Sequence, residues 1–177
     1  MNISSPQTTK KPTQKNALNT VLLAAIATTL TASAIIGMSS PASAGEAQIS
    51  SEAPRFTVEQ SGKRIVNKGV TAYMKGDYSK AVAFNRNALH QGLKISHKTV
   101  VYSNQCAALG SQGRYDEALE ACDQALKLSP ANWQAFSNRA AVNWLNGDKL
   151  QAKQDIISAK ALDSAAPEIT YNMNVFG

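Results

Sequence analysis

The chain has 177 residues, 44% of them hydrophobic and 17% charged, which excludes a disordered or fibrous polymer and fits one ordinary domain. Its net charge of +6 is unevenly placed: residues 1–44 hold three lysines and no acid, leaving 15 basic and 12 acidic residues over the remaining 133. That near-balance, with no Lys/Arg stripe interleaved with aromatics, excludes a nucleic-acid footprint, so no nucleic-acid partner is expected.

The first element in chain order is a targeting segment, residues 1–44. Lys10, Lys11 and Lys15 form a positive start, and no charged residue then occurs from Asn16 to Gly45. Ala42-Ser43-Ala44 fits a small-residue cleavage site, so a signal peptide is expected. The alternative is a retained membrane anchor over residues 17–38, since the uncharged run is long enough to span a bilayer at about 20 residues. Thr28, Thr29, Thr31 and Ser33 dilute its apolarity. Either way the rest of the chain is expected outside the cytoplasm, periplasmic or secreted. A membrane association is expected only if the segment is kept as an anchor.

Residues 45–56 are small, polar and patternless, and predict a flexible linker. Thr57-Val58-Glu59-Gln60 offers a capping box, which would start the folded domain, residues 57–177, on a helix. From there the pattern is helical and self-similar. KGDYSKAVAFNRNAL (75–89), QGRYDEALEACDQAL (112–126) and NGDKLQAKQDIISAK (146–160) repeat one another, with glycines at Gly76, Gly113 and Gly147. Ahead of each lies a helical segment: RIVNKGVTAYM, VYSNQCAALGS and AFSNRAAVNWL. Each unit therefore predicts helix, tight glycine turn, helix. The tail, PEITYNMNVFG, predicts a short capping helix over 167–177. Tyr171, Met173, Val175 and Phe176 would be exposed on it and could dock another protein, because terminal caps are usually polar outside.

The period and these residues resemble the tetratricopeptide repeat family. In the second unit Tyr102, Cys106, Tyr115, Ala118, Cys122, Ala125, Leu126 and Pro130 follow its pattern in register. In the first the matching residues are Ile65, Gly69, Tyr78, Ala81, Asn85, Ala88 and Leu89, and in the third Phe136, Ala140, Ala152, Ile156 and Ala159. The resemblance implies an all-α solenoid of three antiparallel helix-turn-helix repeats, about 62–95, 99–132 and 133–166, plus the capping helix. Two departures stand out. Extra residues after the first unit predict a longer loop near Ile95–His97, and Lys149 replaces the turn tyrosine of the third, which predicts weaker packing there.

In the family register Cys106 and Cys122 face each other across one hairpin. For helices packed roughly 10 Å apart, their Cα atoms would lie about 5.4 Å from one another. That is within disulfide reach, and an exported chain meets an oxidising compartment. A disulfide is the expectation, and two reduced core thiols are the alternative. C-x-x-C spacing is absent, which argues against a redox catalyst.

The resemblance also implies a concave surface lined by the first helix of each repeat and used to hold a protein or peptide. Asn67, Asn104, Asn138 and, if the tail continues the register, Asn172 would point into it, one per repeat. An amide offers donors and an acceptor together, so such a ladder could clamp a main chain with little sequence preference. Tyr73 and Trp144 would flank a floor of small residues (Ser103, Ala107, Gly110, Ser111) as aromatic anchors. Trp144 could equally belong to the core between repeats. Related domains that grip a terminal carboxylate use Lys/Arg, whereas the third repeat here offers Gln134 and Asn138. Arg139, one residue out of register, should point into the stack.

No catalytic constellation, cofactor motif or metal-ligand spacing is present. His90 and His97 stand seven apart with no acidic neighbour, and Glu117, Glu120 and Asp123 suit a solvated helix face. The expectation is a non-enzymatic scaffold that binds a protein or peptide outside the cytoplasm. The alternative is a structural or assembly subunit of a cell-envelope complex docking through its C-terminal end, and self-association is left open.

Overall fold

The computed structural model describes residues 52–177, so the expected targeting segment and the first part of the expected linker lie outside the described residues. Seven helices follow one another among the described residues: α1 (Arg64–Met74), α2 (Tyr78–Leu89), α3 (Ile95–Ser111), α4 (Tyr115–Leu128), α5 (Trp133–Asn146), α6 (Lys149–Leu162) and α7 (Pro167–Phe176). Among the described residues no two backbone segments pair into a β-sheet, and no helix is long and apolar enough to cross a membrane.

The helices pair as α1/α2, α3/α4 and α5/α6, and each hairpin packs on the next. Gly76, Gly113 and Gly147 end the first helix of each pair with φ of 76°, 74° and 94°. This left-handed conformation strains any residue with a Cβ, which is why the turn glycine recurs. Asp77 and Asp148 then cap α2 and α6, accepting from the amides of Lys80 and Gln151. The fully buried alanines Ala81, Ala118 and Ala152, with Ala88, Ala125 and Ala159 two turns on, let the helices of each pair approach closely. Because α1, α3, α5 and α7 also neighbour one another directly, they form one continuous inner layer.

Cys106 and Cys122 are fully buried where α3 crosses α4. Their Cα atoms are 5.2 Å apart and their sulfurs lie at bonding distance, so the site accommodates a disulfide. At the same crossing in the first hairpin, Gly69 leaves room for the side chain of Asn85, which a Cβ at Gly69 would strike.

Four sequence expectations need correction. No helix starts at Thr57. Residues 52–61 are not helical, Gly62 bends the chain and α1 begins only at Arg64, because the backbone groups of Thr57 are engaged elsewhere. The described end of the expected linker is not free: Pro54 is buried and Phe56 half-buried. The loop expected near Ile95–His97 is helix. The extra residues wind into an added turn of α3, and the connection is confined to residues 90–94. The tail is not an exposed apolar surface, since Val175 and Phe176 are buried and the Phe176 ring stacks on Trp144 at 4.6 Å between centroids. At the third turn Lys149 takes up the role of the missing tyrosine. Its ammonium donates to the Trp144 carbonyl at 2.5 Å and lies 3.7 Å from the indole centroid.

Candidate functional site

The inner layer is occupied by the chain's own N-terminal segment. Residues 52–61 run along α7, α5, α3 and α1 in that order, opposite to the order of the repeats. Asn172 Oδ1 accepts from the Arg55 amide at 2.7 Å, and its Nδ2 donates to the Arg55 carbonyl at 2.8 Å. Asn138 does the same for Thr57 at 2.8 and 2.9 Å, and Asn104 for Glu59 at 2.8 and 2.8 Å. Asn67 closes the series by accepting from the Ser61 amide at 2.8 Å. The four asparagines singled out from the sequence thus meet one strand at alternate residues.

The geometry follows from two periods. An extended chain advances about 6.6 Å per two residues and turns the amide and carbonyl of every second residue to the same edge. Each repeat supplies one asparagine at the same place on its first helix, so a rung recurs as the strand recurs. The amides of Asn104, Asn138 and Asn172 each pair with the strand as an opposing β-residue would, giving one acceptor and one donor, while Asn67 only accepts.

The rungs are held from behind. Asn104, Asn138 and Asn172 are almost fully buried. Asn138 Nδ2 also lies 3.2 Å from the Ser103 carbonyl and 3.3 Å from its hydroxyl, and Asn172 Nδ2 is 3.5 Å from Ser137 Oγ. The serine of one repeat therefore orients the asparagine of the next. By sequence alone Ser103 and Ser137 both count only as groove floor. Their shared position, one residue before Asn104 and Asn138, is the signal that could have revealed this role.

Side chains fix the register of the strand. The Phe56 ring lies over Gly110, so close that a Cβ there would stand 2.5 Å from Phe56 Cζ and 3.0 Å from Val142 Cγ2. Tyr73 packs into the same cluster, its hydroxyl 3.1 Å from Ser111 Oγ. At the far end the Arg55 guanidinium stacks 3.6 Å from the Tyr171 centroid, and the Tyr171 hydroxyl donates to Glu52 at 3.0 Å. Burial raises the Glu59 carboxyl above its ordinary range. Trp144 packs instead with Phe176 and Lys149, on the core side. A period-two signal for the strand was present in Pro54, Phe56 and Val58.

Arg139 does point into the stack. It forms a two-bond pair with buried Asp155 at 2.9 and 2.7 Å and reaches Asp123 at 2.7 Å. Among the described residues no group of three or more His, Cys, Asp or Glu side chains could hold a metal, His90 and His97 included.

The family model described as Tetratricopeptide repeat matches residues 100–132, the hairpin of α3 and α4. A TPR repeat-containing thioredoxin, TTL4 of Arabidopsis thaliana, is 30% identical over 118 residues, covering 65% of this chain and 17% of that protein. Sperm-associated antigen 1 of Mus musculus is 33% identical over 92 residues, covering 52% of this chain and 10% of that protein. The chain thus spans less than a fifth of the length of these relatives. Similar folds occur in the TPR domain of Arabidopsis OM64 (TM-score 0.55, 21% identity, 63% of this chain and 90% of that one). They also occur in the second TPR domain of human RPAP3 in complex with the HSP70 peptide SGPTIEEVD (0.54, 21%, 63% and 91%). A third is the first TPR of Spaghetti bound to the HSP90 peptide SRMEEVD (0.56, 20%, 63% and 86%).

Proposed function

The chain is a tetratricopeptide-repeat protein, and from that premise we propose that it is a non-enzymatic scaffold outside the cytoplasm whose groove holds an extended protein segment through the asparagine ladder. The observation that carries this reading is the strand already in the groove. Seven hydrogen bonds from Asn67, Asn104, Asn138 and Asn172 reach main-chain groups of residues 55–61. Such bonds are made equally by any extended chain of the right register. Two of the similar folds carry chaperone peptides, which supports a peptide as the class of occupant. Both peptides are acidic, and Gln134 and Asn138 stand where a carboxylate clamp would need cations, so a different kind of segment is expected here. The leader and a hairpin able to carry a disulfide support the location. Docking through the C-terminal end loses support, because Val175 and Phe176 are buried.

An array of unrelated decapeptides probed with the full chain tests the reading. Thr57→Pro removes the amide that donates to Asn138 and loosens the resident strand without touching the groove. That variant should capture a subset of the array, and adding Asn104→Ala and Asn138→Ala should abolish capture. A folded Thr57→Pro chain that captures nothing, or a ladder variant that captures as much, would overturn it.

A further inference from the structure

Main-chain clamping leaves open what the groove prefers. Building on the reading above, we propose that selectivity resides in the gap at Gly110, which takes a phenylalanine of an extended partner segment. Residues 54–61 are the resident competitor that such a segment displaces.

The gap is a property of one repeat. The position of Gly110 in the second repeat is held by Tyr73 in the first and Trp144 in the third. Trp144 turns to the core, against Phe176, whereas Tyr73 lines the gap beside Gly110. Val142 closes the floor, and the Phe56 ring fills the space to contact. The alternation of the strand puts it there. Rungs engage residues 55, 57, 59 and 61, so the side chain of residue 56 leaves on the other face. A segment lacking an aromatic at that place would keep its backbone bonds and leave an apolar hollow between Tyr73 and Val142.

The occupant is tethered. Only Gly62 and Lys63 separate Ser61 from α1, and Gly62 is exposed, with open space where a side chain would stand. So short a connection gives the strand an effective concentration on the order of millimolar. A free segment of the same sequence therefore competes poorly, and a partner prevails through tighter fit or further contacts.

The test measures anisotropy of a labelled decapeptide, EAPRFTVEQS (the sequence of residues 52–61), against the full chain. Its counterpart EAPRATVEQS lacks the ring. Thr57→Pro loosens the strand, and Glu59→Pro, which removes the donor to Asn104, serves as a second variant. The loosened chains should bind EAPRFTVEQS about tenfold or more tighter than wild type does, and about tenfold or more tighter than they bind EAPRATVEQS. Adding Gly110→Val should erase the difference between the peptides. Equal binding of both peptides by the loosened chains would overturn the aromatic gap while leaving the ladder reading intact. Wild type binding as well as the loosened chains would overturn the resident competitor. No binding by folded loosened chains would overturn both proposals. A wild-type dimer in sedimentation that dissociates in Phe56→Ala would also overturn it, by making a second copy the occupant.

Discussion

Asn138 accepts a hydrogen bond from the Thr57 amide at 2.8 Å and donates one to the Thr57 carbonyl at 2.9 Å, across 81 positions of sequence. One side chain thereby closes a two-bond ring on one residue of an extended strand. Asn104 does so for Glu59 and Asn172 for Arg55. The inner layer of the solenoid is therefore occupied by the chain's own N-terminal segment.

Removing rungs should free the strand without unfolding the helices. Asn104→Ala/Asn138→Ala deletes four strand bonds, each worth about 1 kcal/mol. Trypsin should then cut after Arg55 at least about tenfold faster than in wild type, with unchanged helical circular dichroism. Unchanged cleavage would mean that the rungs do not hold the strand.

Gly110→Ala separates strand docking from global stability. Alanine favours a helix interior by about 0.5–1 kcal/mol over glycine, so the melting temperature should not fall. The added methyl would stand 2.5 Å from Phe56 Cζ, so cleavage after Arg55 should speed up. A variant that melts lower and keeps its strand protected would contradict this.

Much of this architecture was legible in the sequence, and the reasons it was legible mark the limits. Gly76, Gly113 and Gly147 announce the turns because their left-handed φ admits little else, and the small residues between helices repeat with them. The rungs could be placed because the repeat register places them. The strand could not, because its partners lie 6 to 117 positions away and a lone strand has no repeat. Thr57 and Gln60 are good capping residues in isolation, and only the buried amides of Asn138 and Asn104 decide otherwise. Trp144 was ambiguous for a similar reason: whether it faced groove or core depended on Phe176 arriving over it.

The cysteine pair should stabilise the second hairpin. A bridge closing a span of 16 residues is worth about 3 kcal/mol. Thiol titration in denaturant of the chain purified without reductant should find no free sulfhydryl. Cys106→Ala/Cys122→Ala should lower unfolding stability by about that amount, and two titratable thiols would exclude the bridge.

Arg139 supplies the countercharge of Asp155, whose other donors, Asn143 and Gln151, are neutral. Asp155 is 2% exposed and takes two bonds from the guanidinium, which that partner keeps fully protonated. Arg139→Ala should cost about 3–5 kcal/mol in denaturant unfolding. A loss below about 1 kcal/mol would show that Asp155 finds another partner.

Acid should tighten the strand through Glu59. Burial raises this carboxyl in the docked state above its usual value of 4.5, so docking binds protons and is favoured as pH falls from neutral toward 4.5. Below that range the gain is complete, since both states are protonated. Cleavage after Arg55 by a protease active across this range should slow accordingly. Glu59→Gln should be protected already at neutral pH and lose the dependence. Glu59 and His97 line one surface pocket, so the comparison belongs in a His97→Gln background.

Amide hydrogen exchange along the strand tests the central claim most directly. In the full chain the amides of Arg55, Thr57, Glu59 and Ser61 should be protected, while those of Phe56, Val58 and Gln60 exchange quickly. Asn138→Ala should release Thr57 first. Uniformly fast exchange from Arg55 to Ser61, or protection without alternation, would contradict an asparagine ladder holding an extended chain.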